Sequence, residues 1–153
     1  MKRHWLFISI LFVSTVMKAQ FDIVPVEPEK RTAVNIGLLF GGGAMVGADL
    51  EFLVSPKFGV QIGAGYIGYG AGLNYHPKPG IRTSYLSLQY WNQGTGSTLT
   101  NRSIGANFVY RGKKWFAGQI GLAKTLEKGP AWPSTMQYPP VMLTYALGFY
   151  LPL

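Results

Sequence analysis

The chain has 153 residues, 48% of them hydrophobic, with 20 glycines and a formal charge of +8, a size and balance that suit one domain rather than two. It contains no cysteine, which excludes disulfides, thiolate metal sites, a cysteine nucleophile and a lipid-bearing cysteine at a mature N-terminus. Two histidines leave little scope for metal chemistry.

The first segment, MKRHWLFISILFVSTVMKAQ, starts with Lys2 and Arg3, runs apolar from Trp5 to Val13 and reaches the small residue Ala19. It reads as a signal peptide over 1–19, because its apolar core is shorter than a membrane-spanning helix needs. Removal would take away Lys2, Arg3 and Lys18 and leave a net charge of +5. The remaining cations are spread over turns with no basic stripe, so no nucleic-acid partner is expected. Residues 20–31, with Pro25 and Pro28, then form a periplasmic N-terminal extension able to contact another envelope protein.

From Thr32 onward glycine or proline interrupts nearly every window long enough for a helix, and apolar residues alternate with period two. Turn signals cut the chain into eight expected strands: 32–40, 44–54, 58–66, 69–76, 81–91, 100–111, 115–125 and 140–151. In the last of them Val141, Leu143, Tyr145, Leu147, Phe149 and Leu151 share one face, and Met142, Thr144, Ala146, Gly148 and Tyr150 share the other. The lengths fit tilted transmembrane strands. The chain therefore reads as all-β, an antiparallel up-and-down transmembrane barrel of about eight strands over 32–153. The least defined boundaries are at Gly41–Gly43 and Gly68–Gly70.

Topology and charge agree with that reading. With the N-terminus on the periplasmic side, the second, fourth and sixth connections are the short turns Ser55-Pro56-Lys57, Pro77-Lys78-Pro79-Gly80 and Gly112-Lys113-Lys114. Longer connections, 92–99 and 126–139, fall outside. Two aromatic girdles are expected: Phe58, Tyr75, Tyr110, Trp115 and Phe149 at one interface, and Phe40, Tyr66, Tyr69, Tyr90 and Trp91 at the other. No acid occurs from Phe52 to Leu126, which suits an outer wall that meets lipid rather than water.

The inward parity collects Asn35, Asp49, Glu51, Gln61, Asn74, His76, Ser87, Gln89, Asn107, Arg111, Gln119 and Thr144. Glu51, Gln61, Asn74, Asn107 and Gln119 should form one polar layer near the periplasmic end. Arg111 is the natural partner for Glu51 or Asp49, since an unpaired carboxylate inside the barrel would cost several kcal/mol. The lumen is thus expected to be filled by a polar network rather than open.

Residues that could carry other chemistry fall in unsuitable surroundings. Gly63-Ala64-Gly65-Tyr66-Ile67-Gly68 matches a dinucleotide-binding glycine pattern, but no helix follows it and the next acid is Glu127. Gly41-Gly42-Gly43 lacks the Lys and Ser/Thr of a phosphate loop and suits a turn. His76 with Ser84 or Ser87 and Asp49 or Glu51 would supply a nucleophile, base and orienting acid for a lipid-modifying enzyme. His76 falls at the periplasmic end, however, far from outer-leaflet lipid, so no catalytic residues, cofactor or metal are expected. Near the outer rim, Arg102, Lys124 and Lys128 are candidate contacts for lipopolysaccharide phosphates. Trp132, between Pro130 and Pro133, is with Lys128 the candidate external contact for a partner.

The blocks GLNYHPKPGIRTSYLSLQYWNQG (72–94), RGKKWFAGQIGLAKTLEKGPAWP (111–133) and PPVMLTYALGFYLPL (139–153) resemble small outer-membrane β-barrel proteins of the Bacteroidota. The signal peptide ending in Ala-Gln is similar too. The resemblance implies location and fold, since its motifs are strand and turn sequences without known chemistry. One departure is the ending Tyr150-Leu151-Pro152-Leu153, which lacks a terminal aromatic and leaves Phe149 or Tyr150 to serve the assembly machinery. The expected role is a structural or interaction component of the outer membrane, in contact with its lipid and lipopolysaccharide. A narrow pore, a lipid-modifying enzyme and a soluble lipocalin-like barrel are the alternatives.

Overall fold

A computed structural model describes residues 29–153. The expected signal peptide and residues 20–28 of the expected extension lie outside the described residues. The described residues form eight strands: β1 (Thr32–Leu38), β2 (Val46–Leu53), β3 (Phe58–Gly65), β4 (Gly68–Tyr75), β5 (Tyr85–Gln93), β6 (Asn101–Arg111), β7 (Phe116–Lys128) and β8 (Val141–Pro152). Each pairs antiparallel with the next, and β1 closes on β8 to complete an up-and-down barrel. At the closing seam Gly37 faces Gly148, and a Cβ added at either would run into the other strand's backbone.

Period-two alternation fixes which side chains point where. Leu143, Tyr145, Leu147 and Phe149 of β8 are exposed outside, while Ala146 and Tyr150 are buried inside. The same rule exposes Ile36, Leu50, Val60, Ile62, Leu73, Leu86, Leu88, Phe108, Ile120 and Leu122 around the other strands. About half of the buried side chains are polar or charged while most of the large apolar ones are exposed, which inverts the usual arrangement of a water-soluble domain.

The end where the chain enters, here the near end, carries the connections 54–57, 76–84 and 112–115. The far end carries 39–45, 66–67, 94–100 and 129–140. The 76–84 connection is longer than the Pro77–Gly80 turn expected, and β5 begins at Tyr85 rather than at 81. The reason is a folded loop: the Thr83 hydroxyl is 2.7 Å from the Lys78 carbonyl and 2.8 Å from that of Gly80, and Ile81 is buried against Ala33 and Leu53. Backbone bonds from His76 to Lys57 and from Gly80 to Pro56 lace this loop to the 54–57 turn.

The first far-end connection departs further from expectation. Leu39 adopts φ 63°, and the chain then turns inward through a single short helical turn, α1 (Phe40–Gly43), instead of passing straight to β2. Gly41 and Gly42, at φ 69° and 83°, supply a backbone conformation that L side chains rarely adopt. Phe40 is therefore inside the barrel, against Ala117, Ala146 and Tyr150, and not in an aromatic girdle. Trp91 is also buried, because it shares the inward parity of Ser87 and Gln89. Tyr66 and Tyr69 remain outside at the far end.

Candidate functional site: the polar lumen

Glu51 on β2 is the hub of the near half of the lumen. Its Oε1 accepts from Asn74 Nδ2 at 2.5 Å and lies 2.9 Å from His76 Nε2, while Oε2 pairs with Arg111 at 2.8 Å. Arg111 reaches Glu51 from β6, across the barrel, and also donates to Asn35 Oδ1 at 3.2 Å and to the Ile81 carbonyl. Its guanidinium lies between two aromatic rings, 4.8 Å from the centroid of Tyr85 and 5.2 Å from that of Tyr150. A planar, delocalised cation with five N–H donors suits a site that offers two ring faces and several acceptors at once. Asn35 donates to the Tyr85 hydroxyl, Ser87 donates to Asn74, and the Tyr150 hydroxyl donates to the Gly112 carbonyl.

The expected single polar layer is divided. Glu51, Asn74 and His76 belong to the Arg111 cluster. Gln119 instead exchanges side-chain amide bonds with Gln89 at 3.2 and 3.3 Å, and Asn107 accepts from Thr144 at 2.6 Å. Gln61 is buried on β3 opposite Glu51, with no hydrogen bond made by its Oε1. Asp49 is not joined to Arg111. Its carboxylate lies against Gly63, where the Gly41 backbone of α1 also approaches.

His76 is buried, with its Nδ1 2.9 Å from the Thr83 hydroxyl and its ring tilted 4.8 Å from that of Tyr85. The two serines considered beside it are engaged elsewhere: Ser87 donates to Asn74, and Ser84 accepts from the backbone N–H of Arg111. Thr83, Tyr85 and Tyr150 complete the cluster and were absent from the sequence-derived set. Parity with Ser87 and Gln89 was the available signal for Tyr85, whereas Thr83 lies in the 76–84 loop, where strand parity gives none.

The far half of the lumen is filled by the backbone of α1 together with the side chains of Phe40 and Trp91. Gly47, Gly63, Gly65, Gly68 and Gly70 vacate the inner wall of β2, β3 and β4, and α1 occupies the space they leave. A Cβ on Gly63 would lie 3.1 Å from the Gly41 Cα, one on Gly70 3.2 Å from the Gly42 Cα, and one on Gly68 3.3 Å from the Gly42 oxygen. Gln93 donates to the Gly43 carbonyl at 3.2 Å and ties the turn to β5. The dinucleotide-like glycines thus serve close backbone packing.

At the far rim, a register shift between Arg102 and Ser103 sets Arg102 opposite Glu127. They form an exposed ion pair at 2.6 Å, and Arg102 Nε also donates to Asn92. Lys124 and Lys128 are exposed on β7, with Lys124 on the outward parity of Leu122. Trp132 packs edge-on against Tyr138 at 5.0 Å and donates to the Met136 carbonyl, so the 129–140 loop folds on itself. Tyr138 anchors it to Asn101, and backbone bonds from Gly129 to Thr100 and from Ala131 to Leu99 join it to the neighbouring far-end loop.

No family model, curated protein or solved structure matches this chain.

Proposed function

We propose that the chain is an integral outer-membrane β-barrel protein with a structural or interaction role in the cell envelope. The observation that carries this reading is the belt of exposed apolar side chains on the closed barrel, to which all eight strands contribute, set against a lumen lined by polar groups. In water such a surface would far exceed the apolar patches soluble monomers expose, whereas hydrocarbon is its natural solvent. Closure also leaves no unpaired strand edge, which is what a bilayer interior requires.

The near end, with outward Phe58, Tyr75, Tyr110, Trp115 and Phe149, faces the periplasm in this reading, and the longer 94–100 and 129–140 loops face outside. Lipopolysaccharide phosphates meet Lys124, Lys128 and Arg102 at the outer rim, and the Trp132 loop is the surface offered to another envelope protein. Phe40 and α1 on one side and Ile81 on the other support a plugged lumen over a conducting one. The test is gel mobility of the protein from an outer-membrane fraction, with and without boiling in SDS. A folded barrel migrates differently until heated. Recovery of the protein in the soluble periplasmic fraction, without a shift, would overturn the reading in favour of a soluble barrel.

A further inference from the structure

Charge is distributed very unevenly between the two ends. Among the described residues, Lys30, Arg31, Lys57, Lys78, Arg82, Lys113 and Lys114 are all exposed at the near end. Glu29 is the one acidic side chain described at that end outside the lumen, and Asp22 and Glu27 lie outside the described residues. At the far end one of the three cations, Arg102, is already paired with Glu127.

The placement matters more than the number. The near-end cations occupy four stations: the chain entry before β1, the β2–β3 turn, the β4–β5 loop and the β6–β7 turn. These stations fall between alternate strands all the way round, so the cations form a ring and not a one-sided patch. Two of the three turn stations lie immediately beyond an outward aromatic, and the β4–β5 loop follows outward Tyr75. Lys57 precedes Phe58, which packs on Tyr75 at 5.3 Å, and Lys114 precedes Trp115, which packs on Phe149 at 4.8 Å. Beside the β4–β5 station a cavity of about 270 Å³ opens between Lys30 and Arg82, with Glu29 also in its lining.

We propose that this ring binds the anionic headgroups of the phospholipid leaflet surrounding the near end of the barrel. The proposal rests on the membrane reading above. An aromatic side chain sits at the depth of the membrane interface, so a cation one residue further out lies at headgroup level. A leaflet encloses a barrel on all sides, which a ring of four stations matches, whereas a peptide or protein partner would be met by a patch on one side. Exposed cations attract anionic lipid additively, and salt screens the attraction.

The test uses the full chain refolded into vesicles of phosphatidylcholine containing either spin-labelled phosphatidylglycerol or spin-labelled phosphatidylcholine, reading the motionally restricted lipid by electron spin resonance. The expected result is about fivefold enrichment of phosphatidylglycerol over phosphatidylcholine next to the protein. The enrichment falls towards unity in a variant carrying Lys57→Gln, Lys78→Gln, Lys113→Gln and Lys114→Gln, but not in one carrying Lys124→Gln and Lys128→Gln. Raising potassium chloride abolishes it in the unmodified chain, which provides a readout independent of variant folding. Potassium phosphate at matched ionic strength should act as chloride does, and specific displacement by phosphate would reassign the ring to a soluble phosphate ligand. Insertion without headgroup preference overturns the proposal alone, and polyglutamate binding to the ring in that case would assign it to an acidic polypeptide. Failure to insert, with no restricted lipid of either kind, overturns the membrane reading as well.

Discussion

Arg111 and Glu51 face each other 2.8 Å apart inside the barrel, brought there from β6 and β2 with both side chains closed to solvent. Around them the acid also holds Asn74 and His76, and the guanidinium also holds Asn35 and Ile81. Replacing one member of such a pair strands the other charge, while replacing both removes the problem together with the bond.

Arg111→Met is therefore expected to cost about 3–5 kcal/mol of folding stability, from the unpaired Glu51 carboxylate. Joining Glu51→Gln to it should recover a substantial part of that loss. Urea unfolding midpoints of the two single variants and the double variant, measured in lipid vesicles, check the cycle. Additive losses would mean that the pair is not coupled.

The glycine wall makes a second prediction. Gly63→Ala places a methyl group against the Gly41 Cα and into the Asp49 carboxylate, and overpacking of this kind costs about 1–3 kcal/mol. Gly112→Ala meets nothing closer than 3.4 Å and should stay within about 0.5 kcal/mol of the unmodified chain. The same unfolding measurement ranks the two, and equal effects would contradict the seating of α1 in the lumen.

Much of this arrangement was legible in the sequence, and what was not has a common cause. Alternation along β2, β3, β7 and β8 placed Glu51, Gln61, Gln119 and Thr144 inside, because parity in a strand is a local property. Phe40 was expected at an interface because a strand to residue 40 would put it there. The positive φ at Leu39 that breaks the strand falls on a residue type that gives no such signal. Thr83 lies in a folded loop where the sequence reads the start of a strand at 81, so its contact with His76 carried no local signal. The division of the polar layer depends on strand stagger around the closed barrel, which no single segment encodes.

The outer wall predicts a depth dependence. Leu122→Arg, in the middle of β7 with neighbours Ala106 and Leu143, should destabilise the barrel in bilayers by about 2–4 kcal/mol. Leu126→Arg, beyond Lys124 near the far rim, should cost no more than about 1 kcal/mol. Folding titrations in vesicles separate the two positions, and equal costs would argue against a bilayer around β7.

At the far rim the Arg102–Glu127 pair is exposed on both sides, so Glu127→Gln should change stability by less than about 1 kcal/mol. It leaves Arg102 free to meet anionic groups together with Lys124 and Lys128. Binding to lipopolysaccharide vesicles is expected to tighten in this variant and to weaken in Arg102→Gln. An unchanged affinity in both would remove Arg102 from the contact surface.

The central claim is that β8 presents alternate residues to lipid and to a closed polar lumen. Because the chain has no cysteine, single spin labels can be introduced at Leu143, Thr144, Tyr145, Ala146 and Leu147 in turn without removing native thiols. In vesicles, collision with oxygen, which concentrates in hydrocarbon, should be high at 143, 145 and 147 and low at 144 and 146. Uniform accessibility, or access of a water-soluble relaxation agent to the outward positions, would contradict the account.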